Sequence, residues 1–308
     1  MKTTATLPFR RRPAGLVPAL AVLTAAFAQP LWRLARFAAA SELYSYILVI
    51  PLISLGLVWL QREPRPGPSP ANRRLAAVLL LAGAAAAIAG RAAASAPGAE
   101  GSPPDSLLLM AGSFVLALAG ILCWFLGRET IRATAFSLGF LALIVPLPLP
   151  LSAALETFLQ HASARAAAVF FQISGMPFFQ GSDLDFQLPG MNLQVAPQCS
   201  GLHSTLALVI LSVPLGYLFL RSPWRRAALA AAAIAIGIVR NGFRIFVIGE
   251  LCVRVGPQMI DSYIHRTGGW IFFLIFLGPF LLLLLLLARS ETAAGSRRDL
   301  PEGAKCQN

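Results

Sequence analysis

Gly268 to Ala288 is a run of 21 residues without one charged group. Ser106 to Gly127 and Ala133 to Leu151 are equally free of charge. A bilayer core about 30 Å thick is crossed by about 20 apolar residues in helical form, so each of these blocks reads as a membrane span. The rest of the chain agrees: 57% of the 308 residues are hydrophobic and 12% are charged. A soluble domain carries roughly 25% charged residues. The chain is therefore expected to be a polytopic membrane protein.

Five further segments complete the expected set. Leu43–Leu60, Leu75–Gly90 and Leu202–Leu220 are apolar spans, the last containing His203. Ala227–Gly249 is apolar up to Arg240, Asn241 and Arg244. Leu16–Ala28 is the shortest; it follows Arg10, Arg11 and Arg12 and ends in Ala26-Phe27-Ala28, a sequence with the look of a signal peptidase site. It is read as an uncleaved first helix. The expected fold class is all-α, a transmembrane helical bundle of about eight spans.

The basic residues orient such a bundle, because Lys and Arg accumulate in cytoplasmic loops. With the spans taken alternately, one side receives 17 Lys and Arg residues, from Lys2 through Arg10–Arg12, Arg62–Arg74, Arg128, Arg132 and Arg221–Arg226 to Arg289–Lys305. The other side receives six, namely Arg33, Arg36, Arg91, Arg165, Arg254 and Arg266. Both termini are thus expected in the cytoplasm. The net charge of +12 is accounted for by loop anchors beside spans, and nucleic acid is not an expected partner. Among the four cysteines, Cys123 is mid-span and Cys306 lies in the polar tail. Only Cys199 and Cys252 fall near the outer face, either as free thiols or as a disulfide.

Gln61–Arg74 is a Pro-rich basic linker, and Ala94–Asp105 a Pro/Gly/Ser-rich outer loop. The run Pro146-Leu147-Pro148-Leu149-Pro150 ends a helix, since proline lacks the N–H and clashes with the preceding turn. Beyond it, Leu151–Ile173 reads as an amphipathic helix lying at the interface, with Glu156, Gln160, His161 and Arg165 as its polar residues. Phe178–Val195 alternates polar and apolar around Gly181 and Gly190 and reads as a short β-hairpin or extended loop.

That segment delivers the chain to Ala196-Pro197-Gln198-Cys199-Ser200-Gly201-Leu202. Cys199 is expected at or just before the outer N-terminus of a span. The free N–H groups and partial positive charge there favour a thiolate, the reactive form of cysteine. A small buried thiol at a helix end is the plainer alternative. The next span ends Arg240-Asn241-Gly242-Phe243-Arg244, two arginines one turn apart with an amide between them. An ionisable group at the centre of a span costs ~2.5–3.5 kcal/mol on translocon scales. Snorkelling to the headgroups lowers that cost near a helix end and is the plain reading of one such residue. It explains the cluster less well. His265, in Tyr263-Ile264-His265-Arg266, precedes the last span and is expected at the same face. A thiol, an arginine pair and an imidazole thus converge on one membrane surface.

Cys-Ser-Gly at a span start, Asn-x-x-Arg at the end of the next, and a His before the following one resemble the exosortase/archaeosortase family. The resemblance covers about Gly139 to Leu287 and includes the Leu188-Pro189-Gly190 turn; the N-terminal spans match it in hydropathy alone. It divides the chain into N-terminal spans (1–138), a catalytic core (139–288) and a polar tail (289–308). It implies a membrane cysteine transpeptidase or protease of the bacterial inner membrane. The substrates would be exported proteins ending in a short motif such as Pro-Glu-Pro, a transmembrane helix and a basic cluster. By the same resemblance Cys199, Arg244 and His265 are the catalytic residues. Arg240, Asn241 and His203 are possible supporting residues, and no cofactor is implied.

These residue types suit amide cleavage, which needs a nucleophile, a proton donor for the leaving amine and oxyanion stabilisation. Arg244 cannot act as a base because guanidinium does not deprotonate in proteins. His203, four residues after Cys199, is a rival base if the two share a helical face. Glu250 or Asp261 is available to orient His265. The histidines lack metal-ligand spacing. The competing readings are a transporter or assembly factor for surface polysaccharide, with the arginines binding an anion, and a histidine-centred membrane acyltransferase.

Overall fold

A computed structural model describes residues 15–60, 72–95, 103–261 and 269–298. The chain forms two compact units, Met1–Leu149 and Pro150–Asn308. The first is entirely helical among its described residues: α1 (Leu16–Ala26), α2 (Ala28–Ala40), a 3-10 turn (Ser45–Leu48), α3 (Ile50–Leu60), α4 (Arg73–Ala94), α5 (Pro103–Leu141) and a second 3-10 turn (Ala142–Ile144). Asn72 caps α4, its side chain accepting from the Leu75 N–H at 3.1 Å. Apolar side chains point outward along these helices: Leu52, Leu81 and Ile88 are each about 70% exposed. In water that would be an aggregation surface; in lipid it is the solvated face.

The all-α polytopic bundle stands, with a different number of spans. Among the described residues, five helices are long and apolar enough to cross a membrane, and two further pairs interrupted by a short break would raise the number to seven. Three expected spans differ for local reasons. Leu43–Leu60 becomes a 3-10 turn followed by the 11 residues of α3. Pro51 stands in the first turn of that helix, where its missing N–H costs no intrahelical hydrogen bond. Leu16–Ala28 breaks at Phe27 (φ −101°, ψ 7°), where the chain bends by 59° into α2. Ala133–Leu151 ends early at the 3-10 turn Ala142–Ile144, ahead of Pro146 and Pro148. Within that proline run the Leu147 carbonyl accepts from the Tyr44 hydroxyl at 3.3 Å.

The second unit contains α6 (Leu149–Ser174), strands β1 (Phe179–Ser182), β2 (Asp185–Leu188) and β3 (Met191–Gln194), α7 (Leu202–Phe219), α8 (Pro223–Arg254) and α9 (Gly269–Arg298). The expected hairpin is one strand longer, a β1-β2-β3 antiparallel sheet. β2 and β3 are joined by the Pro189-Gly190 turn, with Leu188 facing Met191 and Asp185 facing Gln194. Period-two alternation puts Phe186, Leu188, Leu193 and Val195 on one face, where they pack with Ala164, Ala167 and Phe171 of α6 and Ile245 of α8. Burying a large apolar side chain contributes about 1.5–3 kcal/mol, so this face pins the sheet to the helices.

α6 is thus amphipathic, with one buried stripe and an exposed side that includes Leu151, Phe158, Val169 and Ile173. Ser152, Leu159, Gln160, Ser163, Ala164, Ala167 and Phe171 form its buried stripe. Of the four residues expected on its polar face, Gln160 points inward, while Arg165 is exposed and pairs with Asp183 at 3.3 Å. α6 approaches α8 closely: a Cβ on Gly242 would lie 2.5 Å from the Ala166 Cβ. Small residues at such crossings bring backbones together where lipid supplies no hydrophobic drive. α7, α8 and α9 share a second core of Leu208, Leu220, Leu229, Ala233, Phe280 and Leu284. At its end, Glu291 of α9 accepts from the Arg221 and Ser222 N–H groups at 2.7 and 2.8 Å, clasping the turn between α7 and α8.

Candidate active site

β3 runs through Val195 and Ala196 into a 3-10 turn, Pro197–Cys199, closed by the Cys199 N–H donating to the Ala196 carbonyl at 2.8 Å. Ser200 follows, then Gly201 in the left-handed region (φ +75°), and only then α7. Cys199 thus stands just before the helix. Gly201 also interrupts the helical register, so the four-residue spacing does not put His203 on a common face with Cys199. His203 is exposed on α7, whereas Cys199 is half-buried.

A non-helical loop beside spans needs internal partners for its carbonyls. Three side chains from two helices supply them. Gln160 Nε2 donates to the Val195 carbonyl at 2.6 Å, Asn241 Nδ2 to the Cys199 carbonyl at 2.7 Å, and Ser163 Oγ to the Ser200 carbonyl at 3.4 Å. Asn241 is 1% exposed and also fills the space beside Gly201, where a Cβ would lie 2.5 Å from its Cγ. Glycine is required there twice over, for the backbone angle and for the room.

Cys199 opens onto a cavity of about 150 Å³ lined by Leu193, Gln194, Val195, Ala196, Cys199, Asn241, Arg244, Ile245 and Ile248. Asn241, Arg244, Ile245 and Ile248 fall at i, i+3, i+4 and i+7, one face of α8. The lining is mostly apolar; Gln194, Asn241 and Arg244 are its polar residues beside Cys199. Positive charge among aliphatic walls stabilises an anion more strongly than it would in water.

Arg240 is not part of this lining. Its side chain is 4% exposed and packs toward α7, where Nη2 donates to the Ser204 hydroxyl. The two arginines therefore diverge: Arg240 is held inside the helix pair and Arg244 reaches the cavity. Snorkelling does not describe Arg240, which is buried in protein. Cys199 and Cys252 are both free thiols. Glu250 pairs with Arg254 at 2.6 Å. His265 lies outside the described residues, so its distance to Cys199 is not part of this geometry. No group of three His, Cys, Asp or Glu side chains able to hold a metal occurs among the described residues.

Sequence reasoning singled out Cys199, Asn241 and Arg244, and the structure brings these three together. It missed Gln160 and Ser163 as holders of the loop and Ile245 and Ile248 as cavity wall. The last two were within reach, since they continue the helical face that Asn241 and Arg244 define.

Fold and site together define a polytopic membrane protein in which Cys199 and Arg244 line one cavity beside a small sheet. The transmembrane exosortase family matches residues 32–282, and the chain belongs to that family. The match begins well before Gly139 and takes in α3, α4 and α5, which the resemblance in hydropathy alone did not reach. No curated protein and no solved structure matches the chain.

Proposed function

We propose that this exosortase is a cysteine transpeptidase or protease that cleaves the C-terminal sorting tail of exported proteins. The tail would comprise a short Pro-Glu-Pro-like motif, a transmembrane helix and a basic cluster. The observation that carries the reading is the shared cavity of Cys199 and Arg244, with Asn241 holding the Cys199 carbonyl.

Cys199 Sγ, as thiolate, attacks the scissile carbonyl carbon, and the carbonyl electrons move onto oxygen. Arg244, a fixed cation, stabilises first the thiolate and then this oxyanion. Collapse of the tetrahedral intermediate breaks the C–N bond, and His265 protonates the departing amine. The acyl group is left as a thioester on Cys199. An acceptor amine or water then attacks the thioester, giving up its proton to His265 and freeing the thiol. Asn241 positions the loop and takes no part in proton transfer.

The reading predicts that Cys199→Ala inserts normally yet loses processing of a tail-bearing substrate by a factor on the order of 10³ or more. Cys199→Ser should recover little, an unactivated hydroxyl being the poorer nucleophile. The ratio of mature to full-length substrate in membranes, at matched enzyme levels, measures both. Wild-type processing by the alanine variant would remove the thiol from the mechanism.

A further inference from the structure

The sheet next to the thiol has an open side. In the order β1-β2-β3, β3 is an edge strand, and among the described residues no other strand joins it. Its hydrogen-bonding sense follows from one contact. The Val195 N–H donates to the Leu184 carbonyl at 2.9 Å, which makes 184 and 195 a bonded pair. Bonded and non-bonded pairs alternate along an antiparallel ladder. Phe186 and Leu193 are then a bonded pair, as are Leu188 and Met191, while Gln187 with Asn192 and Asp185 with Gln194 are not. The N–H and C=O groups of Asn192 and Gln194 consequently point away from β2, and both residues are exposed.

An open edge is ordinarily blunted by charge, proline or a bulge, because it templates pairing with another chain. β3 has none of these: it reads Met191-Asn192-Leu193-Gln194, and the one register irregularity of the sheet lies between β1 and β2. The edge is continuous with the site, since Leu193, Gln194, Val195 and Ala196 line the same cavity as Cys199 and Arg244. A chain laid along β3 therefore runs toward the thiol with alternate side chains directed at the aliphatic wall of Ile245 and Ile248.

We propose that the open edge of β3, at Asn192 and Gln194, is the substrate-binding element: the extended segment flanking the scissile bond adds to the sheet as a fourth strand, which brings its carbonyl to Cys199. The proposal rests on the reading of Cys199 as the nucleophile. Recognition of this kind draws affinity from main-chain hydrogen bonds and specificity from pockets for alternate side chains. The partner is thus an extended polypeptide with apolar residues at alternate positions, not a helix.

The test separates binding from cleavage. Tail peptides carrying one backbone N-methyl group at each non-proline position in turn are titrated against the Cys199→Ala protein in nanodiscs. Strand addition predicts an alternating profile, with affinity falling roughly fivefold to tenfold at every second residue and little change between. Gln194→Pro removes a donor that faces away from β2 and leaves the β2–β3 ladder intact, so it should weaken the unmodified peptide and flatten the alternation. Unchanged thermal stability of Gln194→Pro keeps that arm interpretable, and the N-methyl scan stands without it. A flat scan, sensitivity without a two-residue period, or no binding of the peptide overturns the proposal. An alternating scan combined with no cleavage by the wild-type enzyme would instead keep the edge and remove the transpeptidase reading.

Discussion

At the scale of single residues the site divides its labour between groups that hold and groups that react. Asn241, Gln160 and Ser163 grip backbone. Arg244 contributes charge within the cavity, and His265 is proposed to move protons. This division has separable consequences. Arg244→Ala should lose roughly 10²–10³ in processing rate, the usual consequence of removing an oxyanion donor. Arg244→Lys should be partly active, since it keeps the charge and loses the planar fork. His265→Ala should fall by about 10²–10⁴, the span of general acid–base contributions. His203→Ala should stay near wild type, because Gly201 interrupts the register that would bring His203 to Cys199. Single-turnover processing in membranes compares all four. A dead His203→Ala with an active His265→Ala would assign the base to α7.

Among elements, the short link from β3 to α7 is the most constrained. Gly201→Ala combines a left-handed backbone angle with a collision against the buried Asn241 side chain. A non-glycine residue in that conformation costs roughly 1–2 kcal/mol before any collision is counted. The expected outcome is a lower melting temperature in detergent together with lost processing. Adding Asn241→Gly should restore part of the melting temperature by relieving the collision, and none of the activity. If Gly201→Ala melts with the wild type, Asn241 yields to a Cβ at position 201 and the close approach there is not a constraint. This link also marks where the sequence was legible and where it was not. Cys199 before a span, strands ahead of it and a polar cluster on the next helix are local patterns, readable from residue order. The inward turn of Gln160 was not readable, because its partner, the Val195 carbonyl, is 35 residues away and exists only once the sheet has docked. Span lengths failed for a related reason. Hydropathy gives no sign of a boundary at Phe27, Pro51 or Pro146, yet each of them lies at the end of a helix.

For the molecule as a whole, the charge asymmetry and the site make a joint statement about sidedness. The loop arginines anchor, and those at the turn between α7 and α8 also do local bonding: Arg226 Nε donates to the Leu220 carbonyl at 2.9 Å and Arg225 to the Leu287 carbonyl at 3.2 Å. If basic loops and tail face the cytoplasm, Cys199 opens to the other side. An impermeant maleimide applied to spheroplasts should then label Cys199 and leave Cys306 unmodified until the membrane is permeabilised. Cys123 and Cys252 are buried and should not react in either case. Label on Cys306 in intact spheroplasts would invert the topology and place the proposed chemistry in the cytoplasm.

The three side chains that grip the loop do so by hydrogen bonds to its main chain. Carbonyl oxygens at 195, 199 and 200 are the same whatever residue bears them, so the mount does not depend on its cargo. Exchanging the sulfur for hydrogen at position 199 leaves every one of those handles in place. The protein is accordingly built as a socket with an interchangeable tip. On the proposed reading, a Cys199→Ala protein would keep this mount while losing the nucleophile, and so would hold a tail-bearing substrate without cleaving it.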